Sequence, residues 1–309
     1  MLDAPLQSVM ENHHQIRVGP AGWSYTDWEG IVYPLPRPRD FHESTYLAQF
    51  FDAIEINTSF YQPIRPKLAE QWIEQVAANS RFQFTAKLWQ KLTHGTEATE
   101  EDVRNARAGF EVLRDAQRLG AVLLQFPFSF HNTPENLAHV ERLADQFREY
   151  PLVVEVRHSS WNDSTVERML RNRGIGLCNI DQPLIGRSVR PSERATSDIG
   201  YVRLHGRRYD TWFADDPEIP RYERYNYLYD VDELRPWAER IKRVAARAKS
   251  TFVITNNHYE GKGVVNALDL LHLLGRAKVK VPEPLREHYP RLEKIADEPA
   301  LQGTLFRST

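Results

Sequence analysis

An α/β fold, a TIM-type (β/α)8 barrel, is predicted by three features of the 309-residue chain. Eight short β-branched runs recur, segments of helical period separate them, and polar side chains stand where the runs end. A doubly wound open sheet is the alternative with the same rhythm. With 41% hydrophobic and 27% charged residues, the chain has material for a core and is too evenly mixed for disorder or a coiled coil.

The runs are 16–19, 53–57, 82–87, 121–125, 152–156, 175–179, 201–205 and 251–256. Helices are predicted over 67–78, 100–118, 134–147, 164–172, 231–248 and 264–274. Their starts are chemically marked: Thr133 precedes Pro134, and Asn162, Asp163 and Ser164 offer cap oxygens before Val166. No clear helix follows the sixth run, so the barrel is expected to be irregular there. The segment 207–229, rich in tyrosine and charge, reads as a lid. Residues 1–15 form a frayed leader, 16–280 a single barrel domain and 281–309 a C-terminal extension.

Composition excludes several functions. Forty basic against 42 acidic side chains leave a formal charge of -2, so no general field draws the molecule to nucleic acid or an anionic membrane. The lone Cys178 builds neither a disulfide nor a Cys-rich metal cluster. As a thiol among apolar neighbours it reads as buried and inert. The leader carries Asp3 and Glu11 and lacks a signal's cationic start, and no apolar stretch is long enough to span a bilayer. The protein is read as cytoplasmic, without a membrane partner.

The polar ends carry the functional reading. Glu55 and Asn57 end the second run, Lys87 the third, Gln125 the fourth, Glu155 and Arg157 the fifth. Asp181 follows the sixth, Arg203 and His205 end the seventh, and Asn256 and Asn257 the eighth. Residues two apart in a strand share a face, and a barrel places its site at the carboxyl ends of its strands. These groups are therefore expected to converge on one mouth. The bland alternative is a buried ion network that braces the barrel.

Glu55, Glu155 and Asp181 against Lys87, Arg157 and Arg203 balance before His205 and Arg207 are added, so the mouth is neutral to cationic. Spare cations suit a phosphate, sulfate or carboxylate ligand better than a divalent metal. No tightly bound metal or nucleotide cofactor is expected. Glu55, Glu155 and His205 are the candidate acid, base and orienting groups. Lys87, Arg157, Arg203, Arg207, Gln125, Asn57, Asp181, Asn256 and Asn257 are candidate ligand contacts, with Trp23 and Tyr25 as stacking surfaces. His94 and the short Gly261-Lys262-Gly263 turn are weaker signals. Phosphate-loop, dinucleotide, zinc-protease and serine-elbow motifs are absent.

With those residues in hand, the chain resembles the YecE-like family, domain of unknown function 72. The resemblance rests on Gly19 to Tyr25 with Asp27-Trp28, Glu55 to Tyr61, Phe84 to Lys87, Thr93-His94 and Leu124 to Pro127. It continues through Glu155 to His158 with Trp161, Tyr201 to Arg207, and Asn256 to His258 with Gly261-Lys262 and Asn266-Ala267. Pro20-Ala21 and Ser159 are small departures, standing where Thr-Ser and Pro are expected. The resemblance implies a TIM-type barrel and supplies no reaction.

The leading functional expectation is an enzyme acting on an anionic, phosphorylated or sugar-like small molecule by acid/base chemistry. Hydrolysis and isomerisation are not separated by these residues. The alternatives are a non-catalytic nucleotide or nucleic-acid-binding protein and a metal-dependent hydrolase using Glu55, Glu155, Asp181 and His205.

Overall fold

The computed structural model describes residues 16–297, apart from 96–97, 215 and 217. The predicted leader and the last part of the predicted C-terminal extension lie outside the described residues. Eight strands are present: β1 Ile16–Pro20, β2 Ala53–Ile56, β3 Gln83–Lys87, β4 Leu119–Gln125, β5 Leu152–Glu155, β6 Gly176–Asp181, β7 Ile199–Leu204 and β8 Ser250–Thr255. Neighbours pair in parallel in the order β1-β8-β7-β6-β5-β4-β3-β2. The expected runs all become strands, and the fold is a TIM-type (β/α)8 barrel.

Closure of the barrel depends on one small residue. Gly19 of β1 passes so close to β2 that a Cβ there would meet the Ala53 carbonyl oxygen at 1.7 Å. Beyond it, Ala21 bridges Glu55, and the Gly22 N–H donates to the Glu55 carbonyl at 2.8 Å. These contacts close the seam without a full ladder. Inside, Ala53, Ala121, Leu123, Val153, Cys178, Ile180, Tyr201, Phe252 and Ile254 pack the lower lumen. The larger apolar core lies between strands and helices, as it does when both faces of a parallel sheet are covered.

The helices begin where sequence chemistry puts them. Those over the predicted spans are Pro66–Gln75, Glu100–Asp115, Pro134–Gln146, Ser164–Asn172, Val231–Ala245 and Lys262–Leu273, with short Glu43–Leu47, Gln90–Thr93 and Glu283–His288 added. The Thr133 hydroxyl accepts from Asn136 N–H, and Asp163 accepts from Thr165 and Val166 N–H. Thr99 and Asp102 form a reciprocal capping box, a device of about 1 kcal/mol.

The connection after β6 is irregular, as expected, and one side chain organises it. Asn179 donates to the Arg194 and Tyr201 carbonyls at 2.9 and 3.2 Å. Its oxygen accepts from Ser192 Oγ and Arg194 N–H at 2.7 Å each. A buried amide thus satisfies backbone that a helix would have satisfied itself. The chain after the last barrel helix also packs down, burying Leu285 and Leu292. Among the described residues no helix is long and apolar enough to cross a membrane.

Candidate active site

Alternation along the strands sends Glu55, Lys87, Gln125, Glu155, Arg157, Arg203 and His205 toward the lumen at its carboxyl end. Arg203 is the hub and is fully buried. It donates to Glu55 Oε1 at 2.7 Å, to Glu155 Oε2 at 2.6 Å and to Gln125 Oε1 at 3.2 Å. Arg157 donates twice to Glu155 Oε1, at 3.0 and 2.9 Å. The Tyr201 hydroxyl lies 2.9 Å from Glu55 Oε2 and 2.8 Å from Thr85 Oγ1, donating to the carboxylate and accepting from the threonine.

Both carboxylates are therefore saturated. Burial alone would raise the Glu155 carboxyl, but Arg203 and Arg157 outweigh it and hold it well below the usual carboxylate range. His205 Nε2 lies 3.3 Å from Glu155 Oε1, and its Nδ1 accepts from Asn256 Nδ2 at 3.0 Å, which assigns the ring proton to Nε2. Burial pushes this imidazole down to about 3, so it is neutral. Cys178 Sγ stands 4.0 Å from Glu155 Oε2, and burial drives the thiol pKa well up.

Beside the network, over the ends of β1, β2, β3 and β8, lies a cavity of about 380 Å³. Trp23, Tyr25, Tyr61, Trp72 and Tyr225 supply aromatic walls, and Asn57, Lys87, Asn256 and His258 supply polar groups. Tyr25 stacks on His258 with 4.4 Å between ring centres. Its hydroxyl donates to the Ala21 carbonyl at 2.8 Å and accepts from Asn57 Nδ2 at 3.1 Å. Asn57 Oδ1 and His258 Nδ1 are buried without a hydrogen-bond partner. Burial pushes His258 down to about 4.

Among the described residues that line the cavity, Lys87 is the one with a formally charged side chain. It is 9% exposed, and its Nζ stands 3.8 Å from Glu55 Oε1 and 5.4 Å from the centre of the Phe60 ring. Burial, then Arg203, push its pKa down to about 8, with Glu55 and Glu155 pulling the other way.

The expected convergence thus divides into two sets. Trp23, Tyr25, Asn57, Lys87 and Asn256 line the cavity. Glu55, Gln125, Glu155, Arg157, Arg203 and His205 form the network beside it and do not line it. Three expected contacts lie elsewhere. Asp181 is on the other face of β6 from Cys178 and Ile180, where Arg207 holds it at 2.8 and 3.1 Å and the Tyr229 hydroxyl at 2.5 Å. Arg207 continues to Glu233 at 2.9 Å. Asn257 donates to the Tyr227 carbonyl at 2.7 Å and to Asn266 Oδ1 at 2.8 Å. These three tie down the β7-to-helix segment rather than facing the cavity, which also separates Asp181 from the carboxylates proposed to share a metal.

That segment lies against the mouth: Tyr225 joins the cavity wall, and Trp212 packs 5.7 Å from the Arg157 guanidinium. Lys262 serves the same tethering, donating to Asn226 at 2.6 Å and Glu260 at 2.8 Å. His94 packs against Phe60 and borders a separate hollow of about 600 Å³. Sequence reasoning missed His258, Trp72 and Tyr225 as cavity residues, whereas Tyr61, one of the aromatics that could stack a sugar or base, does line it. His258 was within reach, because it is two positions beyond Asn256. Trp72, on a helix, carries no comparable signal.

The family model described as "Protein of unknown function DUF72" matches residues 17–290. The chain belongs to the DUF72 family. This DUF72 chain is 28% identical over 277 residues to the UPF0759 protein YunF of Bacillus subtilis (strain 168), covering 84% of the chain and 94% of the relative. It is also similar to the crystal structure of a DUF72 family protein from Thermotoga maritima MSB8. There the identity is 31%, the TM-score 0.72, and the match covers 84% of this chain and 99% of that one. A DUF72 family protein from Enterococcus faecalis V583 gives 26% identity and a TM-score of 0.73, covering 84% of this chain and 95% of that one. The two crystal structures share this chain's fold.

Proposed function

We propose that this DUF72 barrel is an enzyme that takes an anionic, sugar-like small molecule into the mouth cavity and acts on it by acid/base chemistry centred on Lys87. The observation that carries this reading is the mismatch between the two halves of the mouth. Arg157 and Arg203 spend their charge on Glu155 and Glu55, whereas Lys87 brings an ammonium to the cavity with no carboxylate within hydrogen-bond range. An anion from solution supplies that missing partner. Aromatic walls suit the apolar faces of a sugar, and Asn57, Asn256 and His258 offer polar groups to its hydroxyls.

In this reading Glu55, held by Arg203 and Tyr201, is the counter-charge behind Lys87. Glu155, Arg203 and His205 fix its position and do not touch the ligand. The two carboxylates do not flank a glycosidic bond, because the Arg203 guanidinium bridges them. The test is a thermal-shift panel of sugar phosphates and sugar acids against their neutral parent sugars. Anionic members should raise the melting temperature of the wild type and not of Lys87→Met. Equal shifts from neutral sugars, or from both proteins, would remove the assignment.

A further inference from the structure

Lys87 stands in surroundings that serve a nucleophile better than a structural ion pair. Its Nζ is 3.8 Å from Glu55 Oε1, outside hydrogen-bond range. Both oxygens of that carboxylate are already engaged, Oε1 by Arg203 and Oε2 by Tyr201. The charged and titratable groups around the amine are Glu55 from β2, Glu155 at the end of β5 and Arg157 just beyond it, Arg203 from β7, and the imidazoles of His94 and His258. Two guanidiniums already balance two carboxylates, so a proton on Lys87 is a surplus charge. The side chain projects from the last residue of β3, which fixes its base on a rigid strand.

We infer that Lys87 forms a Schiff base with an aldehyde or ketone carried by the anionic, sugar-like ligand, an inference that rests on the cavity being the ligand site. The ammonium first releases one proton to solvent, because both oxygens of Glu55 are already engaged by Arg203 and Tyr201. The freed nitrogen pair attacks the carbonyl carbon, the C=O π pair moves to oxygen, and a proton passes from nitrogen to that oxygen, giving a carbinolamine. The hydroxyl then takes back the proton first released and leaves as water while the nitrogen pair closes the C=N bond. The sum is ammonium plus carbonyl to iminium plus one water. No oxidant or reductant is consumed, and the nitrogen keeps its single positive charge.

The same desolvation and cationic neighbours that activate lysines toward carbonyls are present here. With burial and Arg203 holding the amine at about 8, roughly one molecule in ten carries the free amine at pH 7, against roughly one in three thousand for an ordinary lysine.

The experiment treats the full chain with glyceraldehyde 3-phosphate and sodium cyanoborohydride, followed by intact mass and peptide mapping. Glycerol 3-phosphate, an anion without the carbonyl, is run alongside by thermal shift. The expected result is a reduced adduct concentrated on Lys87 and suppressed by excess glycerol 3-phosphate. Its rate should rise roughly eightfold between pH 7 and pH 8.5 and level off, where an ordinary lysine would rise roughly thirtyfold. Lys87→Arg should keep the thermal shift and lose the adduct. A shift with glycerol 3-phosphate but no adduct at Lys87, or an adduct spread evenly over the other lysines, overturns the Schiff base and leaves the binding reading standing. Neither shift nor adduct removes both.

Discussion

The two halves of the barrel mouth are built from the same kinds of side chain and differ in how completely those side chains are paired. Around Arg203 each carboxylate oxygen meets a donor, and Glu55, Glu155, Tyr201 and Arg203 are as buried as any leucine in the core. Arg203 Nε and His205 Nε2 are buried without a partner too, but around Lys87 the distances lengthen, and the orphaned atoms there, Asn57 Oδ1 and His258 Nδ1, belong to residues that line the cavity. Saturation marks a brace. A deficit that opens onto the cavity marks a place where a ligand completes the bonding, because buried polar groups are otherwise almost always satisfied.

Substitution is the strongest way to break that comparison. Arg203→Met would strand two buried carboxylates and should cost about 3–5 kcal/mol in chemical denaturation. A loss under about 1 kcal/mol would mean the network is not a brace.

Acidification comes next. His205 is held neutral with a folded pKa of about 3, and His258 at about 4, both below the unfolded value near 6.5. The unfolded state therefore binds more protons as pH falls from about 6.5, and stability falls with it. Glu155, also depressed, adds its loss once pH drops below its unfolded value near 4.3. By pH 4 the loss from His205 alone should be about 3 kcal/mol. His205→Asn should flatten the pH 4–6.5 limb of a denaturation series, and an unchanged slope would contradict the assignment.

The smallest effect has the opposite sign. Lys87→Met removes a surplus buried charge from groups that already have partners, so it should stabilise the protein by about 1–3 kcal/mol at pH 7. The gain should shrink toward pH 10, where the folded wild type has shed its proton. Destabilisation as large as that of Arg203→Met would place both residues in one brace and erase the distinction.

Strand periodicity made most of this arrangement readable beforehand. Glu155 with Arg157, and Arg203 with His205, had to share a face, and seven such ends had to meet if the strands closed. Partner choice was not readable, because which oxygen takes which guanidinium depends on strand stagger around the barrel. Asp181 and Asn257 went astray for a related reason. Cys178 and Ile180 set the inward phase of β6, so Asp181 falls on the outer face, and Asn257 is one step out of phase with Asn256. Tyr225 joins the cavity through a long connection whose path no periodicity specifies.

Cys178 gives this molecule a built-in clock. Its sulfur is buried inside the barrel beside Glu155, so a maleimide or aromatic disulfide reaches it freely only after the staves part. The reagent's rate therefore counts openings of the barrel directly, with no label added and no second thiol to confuse the signal.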